Sequence, residues 1–187
     1  MPDSLLNETS ERSHPVPARW SRLTDWELAW CLRFQQVVRH RFVIRIFALV
    51  SRLGDGVFWY ALMAALLLTQ GAAATPVVGR MLLAGAACLG LYKWLKARTT
   101  RSRPCARNRN IQPRVAPLDE YSFPSGHTLH AVSFTLIVVY YYPLLGWLLL
   151  PFAALVALSR IVLGLHYPSD VLAGALLGAG LALLALQ

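Results

Sequence analysis

Five apolar stretches separated by short breaks restrict the possible folds of this chain more than any other feature. They cover residues 57–70, 77–95, 128–142, 144–163 and 171–186. A helix that crosses a bilayer needs about 20 mainly apolar residues, and its backbone hydrogen bonds must be satisfied within the helix. We therefore predict an all-α fold, a polytopic transmembrane helix bundle of about five spans.

Composition and charge agree with a membrane location. Hydrophobic residues make up 56% of the 187 residues and charged residues only 14%, outside the usual range of soluble globular proteins. The net charge of +9 comes mainly from two basic regions, between Arg12 and Arg45 and between Lys93 and Arg114. No fingerprint of a nucleic-acid-binding module accompanies them, so we expect the lipid bilayer as partner, and no nucleic acid.

The first 53 residues offer no complete span. Residues 1–22 are polar and contain proline, and we expect them to form a mobile tail. In residues 23–53, basic residues interrupt apolar residues that recur at helical spacing, which favours N-terminal amphipathic interfacial helices. We predict a capping box of Thr24 and Glu27 at their start. Residues 54–187 are expected to form the membrane domain.

Polar residues cluster at three borders of the apolar stretches, where they are functional candidates because they are costly to hold beside a membrane. The clusters are Lys96 with Arg103 and Pro104, then Pro124, Ser125, Gly126 and His127, and then Ser159, Arg160, His166 and Asp170. A chain that crosses the membrane at each stretch returns all three clusters to one face. The sequence therefore predicts a single site built from them.

These residue types suit phosphoryl transfer, which depends on positioning and on neutralising the charge of the phosphate oxygens. Lys96, Arg103 and Arg160 supply positive charge, and an arginine can bind two oxygens at once. The backbone N–H groups of residues 125–127 open a predicted helix and provide an anion-binding helix terminus. We predict that these groups form a phosphate cradle.

Two histidines can divide the remaining chemistry, because one group must attack phosphorus and another must protonate the leaving oxygen. Asp170 follows His166 by four residues, with Pro168 at a predicted first helical turn, so the carboxylate can fold back onto the imidazole. We predict His166 as the nucleophile, His127 as the general acid and Asp170 as the residue that orients His166.

In this order and spacing, the motifs resemble the complete three-part signature of the type-2 phosphatidic acid phosphatase superfamily. The matching residues are Lys96-x6-Arg103-Pro104, Pro124-Ser125-Gly126-His127 and Ser159-Arg160-x5-His166-x3-Asp170. The resemblance covers residues 54–187 and identifies them as a membrane phosphatase domain.

The resemblance implies a covalent phosphohistidine at His166, oriented by Asp170, with His127 as general acid and with no metal or other cofactor. The residues that it places around the phosphate are Lys96, Arg103, Ser125, Gly126, His127 and Arg160. The membrane branch of the superfamily cleaves phosphatidic acid, phosphatidylglycerophosphate, polyprenyl pyrophosphates and similar lipids, and the apolar stretches exclude its soluble haloperoxidase branch. The expected function is hydrolysis of a lipid phosphomonoester or pyrophosphate.

Two other functions stay open. The same phosphohistidine can transfer its phosphoryl group to a lipid or glycolipid, which would make the protein a lipid phosphotransferase. A noncatalytic membrane protein can use the basic face to bind anionic lipid or a partner, although the intact His127, His166 and Asp170 argue against this.

Other polar and small residues have simpler interpretations. Asp55 fits a turn and helix cap, and Asp119 and Glu120 are expected to hold their loop or contact a headgroup. Gly174 and Gly178 have the spacing of helix packing. Structural roles are also open for two signature elements, because Asp170 suits the start of a helix and residues 124–126 suit a turn and cap.

Neither a metal site nor a disulfide framework is indicated. His130 lies three residues after His127, but carboxylate and thiolate partners at ligand spacing are missing, so we expect it to serve packing or a secondary contact. The three cysteines, Cys31, Cys88 and Cys105, form no CxxC pair.

The charge distribution also gives an orientation. With five spans, the N-terminal basic region and the basic loop of residues 97–123 share one side, and the positive-inside rule places that side in the cytoplasm. We expect a multi-pass protein of a bacterial inner membrane whose site faces the cytoplasm.

Overall fold

The structure is a computed structural model that describes residues 18–117 and 119–187. Within them it contains eight α-helices, no β-strand and two 3-10 turns, Gly71–Ala74 and Pro143–Leu145. The helices are α1 (Ala18–Val37), α2 (Arg41–Leu53), α3 (Val57–Gln70), α4 (Thr75–Thr99), α5 (Pro104–Arg107), α6 (Gly126–Tyr141), α7 (Gly146–Val162) and α8 (Pro168–Ala185). The predicted all-α fold is confirmed. Residues 1–17 of the predicted tail lie outside the described residues, and residues 18–22 belong to α1.

Each of the five predicted spans corresponds to an apolar helix, namely α3, α4, α6, α7 and α8. In the described part of the chain, three helical stretches are long and apolar enough to cross a membrane: Val57–Thr99, which contains α3 and α4, Pro143–Val162 and Pro168–Ala185. The shorter α6 has 16 residues, about 24 Å of helix. It packs against α4, α7 and α8, so protein covers much of its surface. The chain is a multi-pass membrane protein.

Hydrogen bonds between helices identify which of their ends lie together. Near the start of α4, Arg80 Nε donates to Ala185 O at the end of α8, over 2.9 Å. At the start of α6, Ser125 N donates to Asp170 O in the first turn of α8, over 3.0 Å. The end of α4 therefore lies with the starts of α6 and α8. We call this the polar end of the bundle, and it also contains the end of α7 and the start of α3.

Helices α6 and α8 approach each other closely because glycines face α6 from α8. A Cβ atom added to Gly174 would lie 2.6 Å from Ser125 O, and one added to Gly178 would lie 2.3 Å from Leu129 O. The predicted packing role of these glycines is confirmed. Their close approach also brings the second polar cluster of the sequence against the third.

The predicted capping box is wrong. Helix α1 begins at Ala18, so Thr24 and Glu27 lie inside it and not at its start. Both residues are buried, as are Cys31 and Gln35 on the same face. This face packs toward α7 and α8, and Glu27 makes tertiary contacts there that a local pattern does not reveal.

Helix α2 has two unlike faces. Phe42, Ile46 and Leu49 are exposed at i, i+4 and i+7, while Ser51 is buried where α2 packs on α7. The exposed apolar stripe is consistent with a helix at the membrane interface, a placement that stays a prediction.

Replacing Gly178 with leucine is expected to destabilise the bundle, because the new side chain would overlap the backbone of α6. Overpacking of this kind costs roughly 1–3 kcal/mol, which thermal unfolding in detergent can measure. Gly180→Leu is the matched control, since no heavy atom lies within 4 Å of a Cβ built at Gly180. Equal unfolding temperatures for the two variants would contradict this packing.

Candidate active site

The three polar clusters meet around one cavity of about 760 Å³ at the polar end of the bundle. Its wall contains basic and imidazole side chains from every cluster, namely Lys96, Arg103, His127, Arg160 and His166. These residues come from the end of α4, the start of α5, the start of α6, the end of α7 and the turn before α8. The fold thus brings side chains that are far apart in the sequence into one cavity.

A tight turn between α7 and α8 holds His166 beside Arg160. Gly164 in this turn has φ of +74°, a conformation that strains L side chains, and a Cβ there would lie 2.5 Å from Gln35 Nε2. The N–H groups of Leu165 and His166 both donate to Arg160 O over 3.1 Å. The turn therefore fixes the backbone of His166 relative to the last turn of α7.

Lys96 and Arg103 share the carboxylate of Asp119. Lys96 Nζ lies 2.6 Å from both carboxylate oxygens, and Arg103 Nη2 donates to Oδ1 over 2.6 Å. Burial opposes ionisation of Asp119, but the hydrogen bond and charge of Lys96, with those of Arg103, hold its pKa below the ordinary value. Asp119 holds its loop, as one of the two predicted roles requires, and it neutralises two cations of the predicted cradle.

Arg160 is buried and keeps donors for another group. Its Nη1 donates to Ser51 Oγ on α2, and its Nε has no hydrogen-bond partner among the described residues. A buried guanidinium with an unpaired donor is costly. Because Arg160 also lines the cavity, an anion there would lie beside its charge.

His166 and Asp170 lie side by side without a hydrogen bond. His166 Nδ1 is 3.7 Å from Asp170 Oδ2 and has no partner among the described residues. Asp170 Oδ2 instead accepts from Tyr167 N over 2.9 Å, which caps α8. The predicted pair is thus close, and a small movement of the imidazole would complete it.

The opposite edge of the His166 ring faces the cations. Its Nε2 lies 3.4 Å from Arg103 Nη1. Burial, reinforced by the charges of Arg160, Arg103 and Lys96, lowers the pKa of His166 well below its ordinary value. The imidazole is therefore neutral at pH 7, and the neutral ring is the form with a free electron pair.

Asp55 lies in a turn, as predicted, but it does not cap α3. Gly56 occupies the cap position of α3, and Asp55 lines the cavity with its Oδ1 3.4 Å from His127 Nε2. Burial raises the pKa of the Asp55 carboxyl, against the opposing charges of Arg160, His130 and Arg52. A lone carboxylate just before an apolar stretch was the only signal for this contact in the sequence.

Ser125 has both of its polar groups engaged within the protein. Its N–H donates to Asp170 O, and its hydroxyl lies 2.9 Å from Thr128 Oγ1 and accepts from Thr128 N at the start of α6. The predicted cap is confirmed, and in this conformation Ser125 has no free N–H for a phosphate. The N–H groups of Gly126 and His127 follow in the first turn of α6, where no intrahelical acceptor exists.

His130 contacts backbone. Its Nδ1 lies 2.9 Å from Gly126 O and its Nε2 lies 3.3 Å from Gly85 O on α4. The predicted secondary contact is confirmed. In the described chain, no group of three or more His, Cys, Asp or Glu side chains has the arrangement of a metal site.

The cavity continues from its charged region along an apolar wall between α3 and α4. The apolar lining includes Trp59, Met63, Met81, Leu82, Leu89 and Phe134. One end of the cavity therefore suits an anion, and the rest suits a hydrocarbon chain. Such a cavity matches the two chemical parts of a phosphorylated lipid.

Comparison with known proteins agrees with the motifs. The PAP2 superfamily model matches residues 77–187, a region that contains all three polar clusters. Bacitracin transport permease protein BcrC of Bacillus licheniformis is 41% identical over 76 residues, which is 41% of this chain and 37% of the relative. Undecaprenyl-diphosphatase of Sulfolobus acidocaldarius is 39% identical over 69 residues, 36% of this chain and 34% of the relative. The chain thus matches only about a third of the length of these relatives.

Two solved structures share the fold over most of the chain. A transmembrane PAP2-type phosphatidylglycerolphosphate phosphatase from Bacillus subtilis has a TM-score of 0.68 and 26% identity, covering 88% of this chain and 84% of its own. LpxE of Aquifex aeolicus has a TM-score of 0.66 and 24% identity, covering 83% of this chain and 92% of its own, and supports the fold alone.

The Asp119→Asn substitution is expected to strengthen binding of inorganic phosphate. The phosphate would no longer compete with a carboxylate for Lys96 and Arg103. Because Asp119 is 39% exposed, the gain should be modest, roughly three- to tenfold in the inhibition constant for phosphate. Glu120→Gln removes the same charge from the neighbouring exposed residue and serves as control. Unchanged or weaker phosphate binding by the Asp119 variant would contradict the competition.

Proposed function

From the premise that this chain belongs to the PAP2 superfamily, we propose that it is a membrane lipid phosphatase acting through a phosphohistidine. One observation carries the proposal. The basic residues Lys96, Arg103 and Arg160 and the signature histidines His127 and His166 line a cavity that continues along an apolar wall between transmembrane helices. A phosphorylated lipid can place its headgroup among the charges and its chain along that wall.

Substrate binding is proposed to replace the carboxylate of Asp119 with phosphate. The substrate oxygens would contact Lys96, Arg103 and Arg160, and the N–H groups that open α6 would add to this cradle. The position of the buried Arg160 in the same cavity wall as Lys96 and Arg103 supports this assignment. The phosphate would then be the anion that Lys96, Arg103 and Arg160 share.

The first chemical step is attack of His166 Nε2 on phosphorus. A nitrogen–phosphorus bond forms as the bond from phosphorus to the leaving oxygen breaks, and His127 gives its proton to that oxygen. The proton on His166 Nδ1 would move into a hydrogen bond with Asp170, whose charge stabilises the imidazolium. The present distance of 3.7 Å allows this with a small rotation.

The second step returns the enzyme to its starting state. His127, now neutral, takes a proton from water as the oxygen of that water bonds to phosphorus and the bond to His166 breaks. Inorganic phosphate leaves, and His127 again carries its proton. Atoms and charge balance over the two steps, with water consumed and the lipid product and phosphate released.

Asp55 is proposed to support the general acid. His127 must hold a proton although its side chain is only 11% exposed and Arg160 and Lys96 place positive charge nearby. A carboxylate 3.4 Å from Nε2 favours the protonated ring. Asp55 is then a positioning and electrostatic partner of His127, and not only part of a turn.

We propose a polyprenyl diphosphate as the first substrate to test. The relative from Sulfolobus acidocaldarius is named an undecaprenyl-diphosphatase, and the apolar lining of the cavity accepts a long unbranched or prenyl chain. Phosphatidylglycerophosphate comes second, because the solved Bacillus subtilis structure is titled as a phosphatase for that lipid. Phosphatidic acid completes the panel.

Metal independence is part of the proposal. Lys96, Arg103 and Arg160 supply the positive charge that a metal ion provides in other phosphatases. A chelator should therefore leave the activity unchanged.

The proposed site faces the cytoplasm of a bacterial inner membrane, because the loop of residues 97–123 carries much of the positive charge of the chain. Arg109 in this loop is exposed. In an Arg109→Cys variant with Cys105→Ser, a membrane-impermeant maleimide should label the protein only after the cells are permeabilised. Labelling in intact cells would place the loop outside.

Phosphate release from the three lipids, with chelator present, tests the function. The wild type should be active, and His166→Ala should lose about a thousandfold or more because it lacks the nucleophile. Activity that needs metal or survives His166→Ala would contradict the mechanism. Phosphorylation of an added lipid alcohol would favour the phosphotransferase, and binding of all three lipids without turnover would favour a noncatalytic protein.

The same assay with an aryl phosphate tests His127 and Asp55. A nitrophenolate leaves without protonation, so the pre-steady-state burst of nitrophenolate, which reports the first step alone, should be slowed much less by His127→Ala and Asp55→Asn than the same step with a lipid that has an alkoxide leaving group. Equal losses on both substrates would contradict the general-acid assignment.

A further inference from the structure

A buried ion-pair network joins Asp170 to Arg101, which occupies an unspecified position of the first motif, and to Glu27, which lies outside all three motifs. Arg101 Nη1 donates to Asp170 Oδ1 over 2.6 Å, and Arg101 Nη2 donates to Glu27 Oε2 on α1, also over 2.6 Å. The side chains of Asp170 and Glu27 are 0% and 7% exposed, and that of Arg101 is 26% exposed. One guanidinium thus joins the N-terminal helix to a residue of the proposed mechanism.

The orientation of Arg101 is fixed on several sides. Its guanidinium lies 4.1 Å from the ring centre of Tyr167, and its Nη1 also donates to Ser169 Oγ over 2.7 Å. Burial opposes its charge, but Asp170 and then Glu27 outweigh burial and raise the pKa of Arg101. The planar guanidinium stacks on Tyr167 and uses both of its Nη atoms in ion pairs. Lysine does not reproduce this geometry.

The charge of Asp170 depends on this arrangement. A fully buried carboxylate is strongly disfavoured unless a cation and hydrogen bonds compensate it. Arg101 provides that cation, while Tyr167 N provides a backbone donor to the other oxygen. With Oδ1 bound to Arg101, Oδ2 is the oxygen that faces His166 Nδ1. Arg101 therefore selects which oxygen of Asp170 is available to the imidazole.

Helix α1 also contacts the first turn of α8 and the turn that precedes it. Glu27 Oε1 accepts from Ser169 N in the first turn of α8 over 2.9 Å. Cys31, one helical turn later, places its Sγ 3.8 Å from His166 O. Helix α1 thus contacts the backbone on both sides of Tyr167, in the turn that carries the proposed nucleophile.

We infer that Glu27 and Arg101 are positioning residues that hold Asp170 ionised and aligned for His166, which makes α1 a part of the active site. The inference rests on the proposed function. It assigns a role to an N-terminal helix that none of the signature motifs includes. Loss of either residue should slow the chemical step and leave phosphate binding nearly unchanged, because neither lines the phosphate-binding cavity.

Steady-state kinetics of the full chain on the best lipid of the panel test this. Arg101→Gln should lower kcat by roughly 10- to 100-fold, the range seen when a residue that orients a functional side chain is removed. KM should change by less than about twofold. Arg101→Lys should recover part of the loss, because lysine restores the positive charge but not the planar guanidinium that pairs with two carboxylates at once. Arg98→Gln is the matched control, since Arg98 is exposed at the end of α4.

A double-mutant cycle tests the link to α1. Glu27→Gln alone should also lower kcat, and Glu27→Gln combined with Arg101→Gln should be no slower than Arg101→Gln alone, because Glu27 acts through Arg101. Independent, multiplying losses would overturn the link. Glu27→Asp, which keeps the charge, should lie between the wild type and Glu27→Gln.

Several outcomes separate the inference from the proposed function. An inactive wild type would refute the function itself. An active wild type with unchanged kcat in Arg101→Gln, or with a loss confined to KM, would refute the inference alone. If Arg101→Gln does not elute as a folded protein in detergent, Arg101→Lys and Glu27→Asp are measured instead. A wild-type kcat in both variants would overturn the inference.

Discussion

The mutual repulsion of buried positive charges is the constraint on which the site depends. Lys96, Arg103 and Arg160 are all less than one-tenth exposed and line one cavity at the end of an apolar bundle. Such charges are tolerated only when anions compensate them. Asp119 compensates two of them in this structure, and Arg160 retains an unpaired donor. This concentration of positive charge makes the cavity suitable for an anion such as the phosphate of the proposed substrate.

The arrangement of the helices makes this concentration of charge possible. The basic and imidazole groups of the signature motifs lie in the terminal turns of helices or in connecting segments, where polar backbone is already present. The close packing of α8 on α6 at Gly174 and Gly178 brings His166 and Asp170 against the start of α6. The apolar faces of α3 and α4 then extend the same cavity toward the region where lipid chains lie. The alternation of apolar stretches and polar breaks along the sequence thus determines both the helix bundle and the position of the site.

Much of this was predictable from the sequence, because it rests on local patterns. The first apolar stretch, 57–70, coincides with α3, and the other four overlap α4, α6, α7 and α8. What the sequence did not reveal depends on contacts between distant residues. Glu27 looked like half of a capping box, yet it bonds Arg101 at a separation of 74 residues and Ser169 at 142. Asp55 looked like a helix cap, and only the packing of α3 beside α6 brings it to His127. No periodicity or spacing rule contains such pairings.

The proposed mechanism requires that His166 becomes phosphorylated during turnover. Wild-type protein mixed with lipid substrate, quenched under alkaline conditions within one turnover and digested, can be analysed for phosphate by mass spectrometry. Phosphate is expected on the peptide that contains His166, formed before free phosphate appears and lost on longer incubation. Free phosphate produced without any phosphorylated His166, at times short enough to detect it, would mean that water attacks the lipid phosphate directly and that His166 is not the nucleophile.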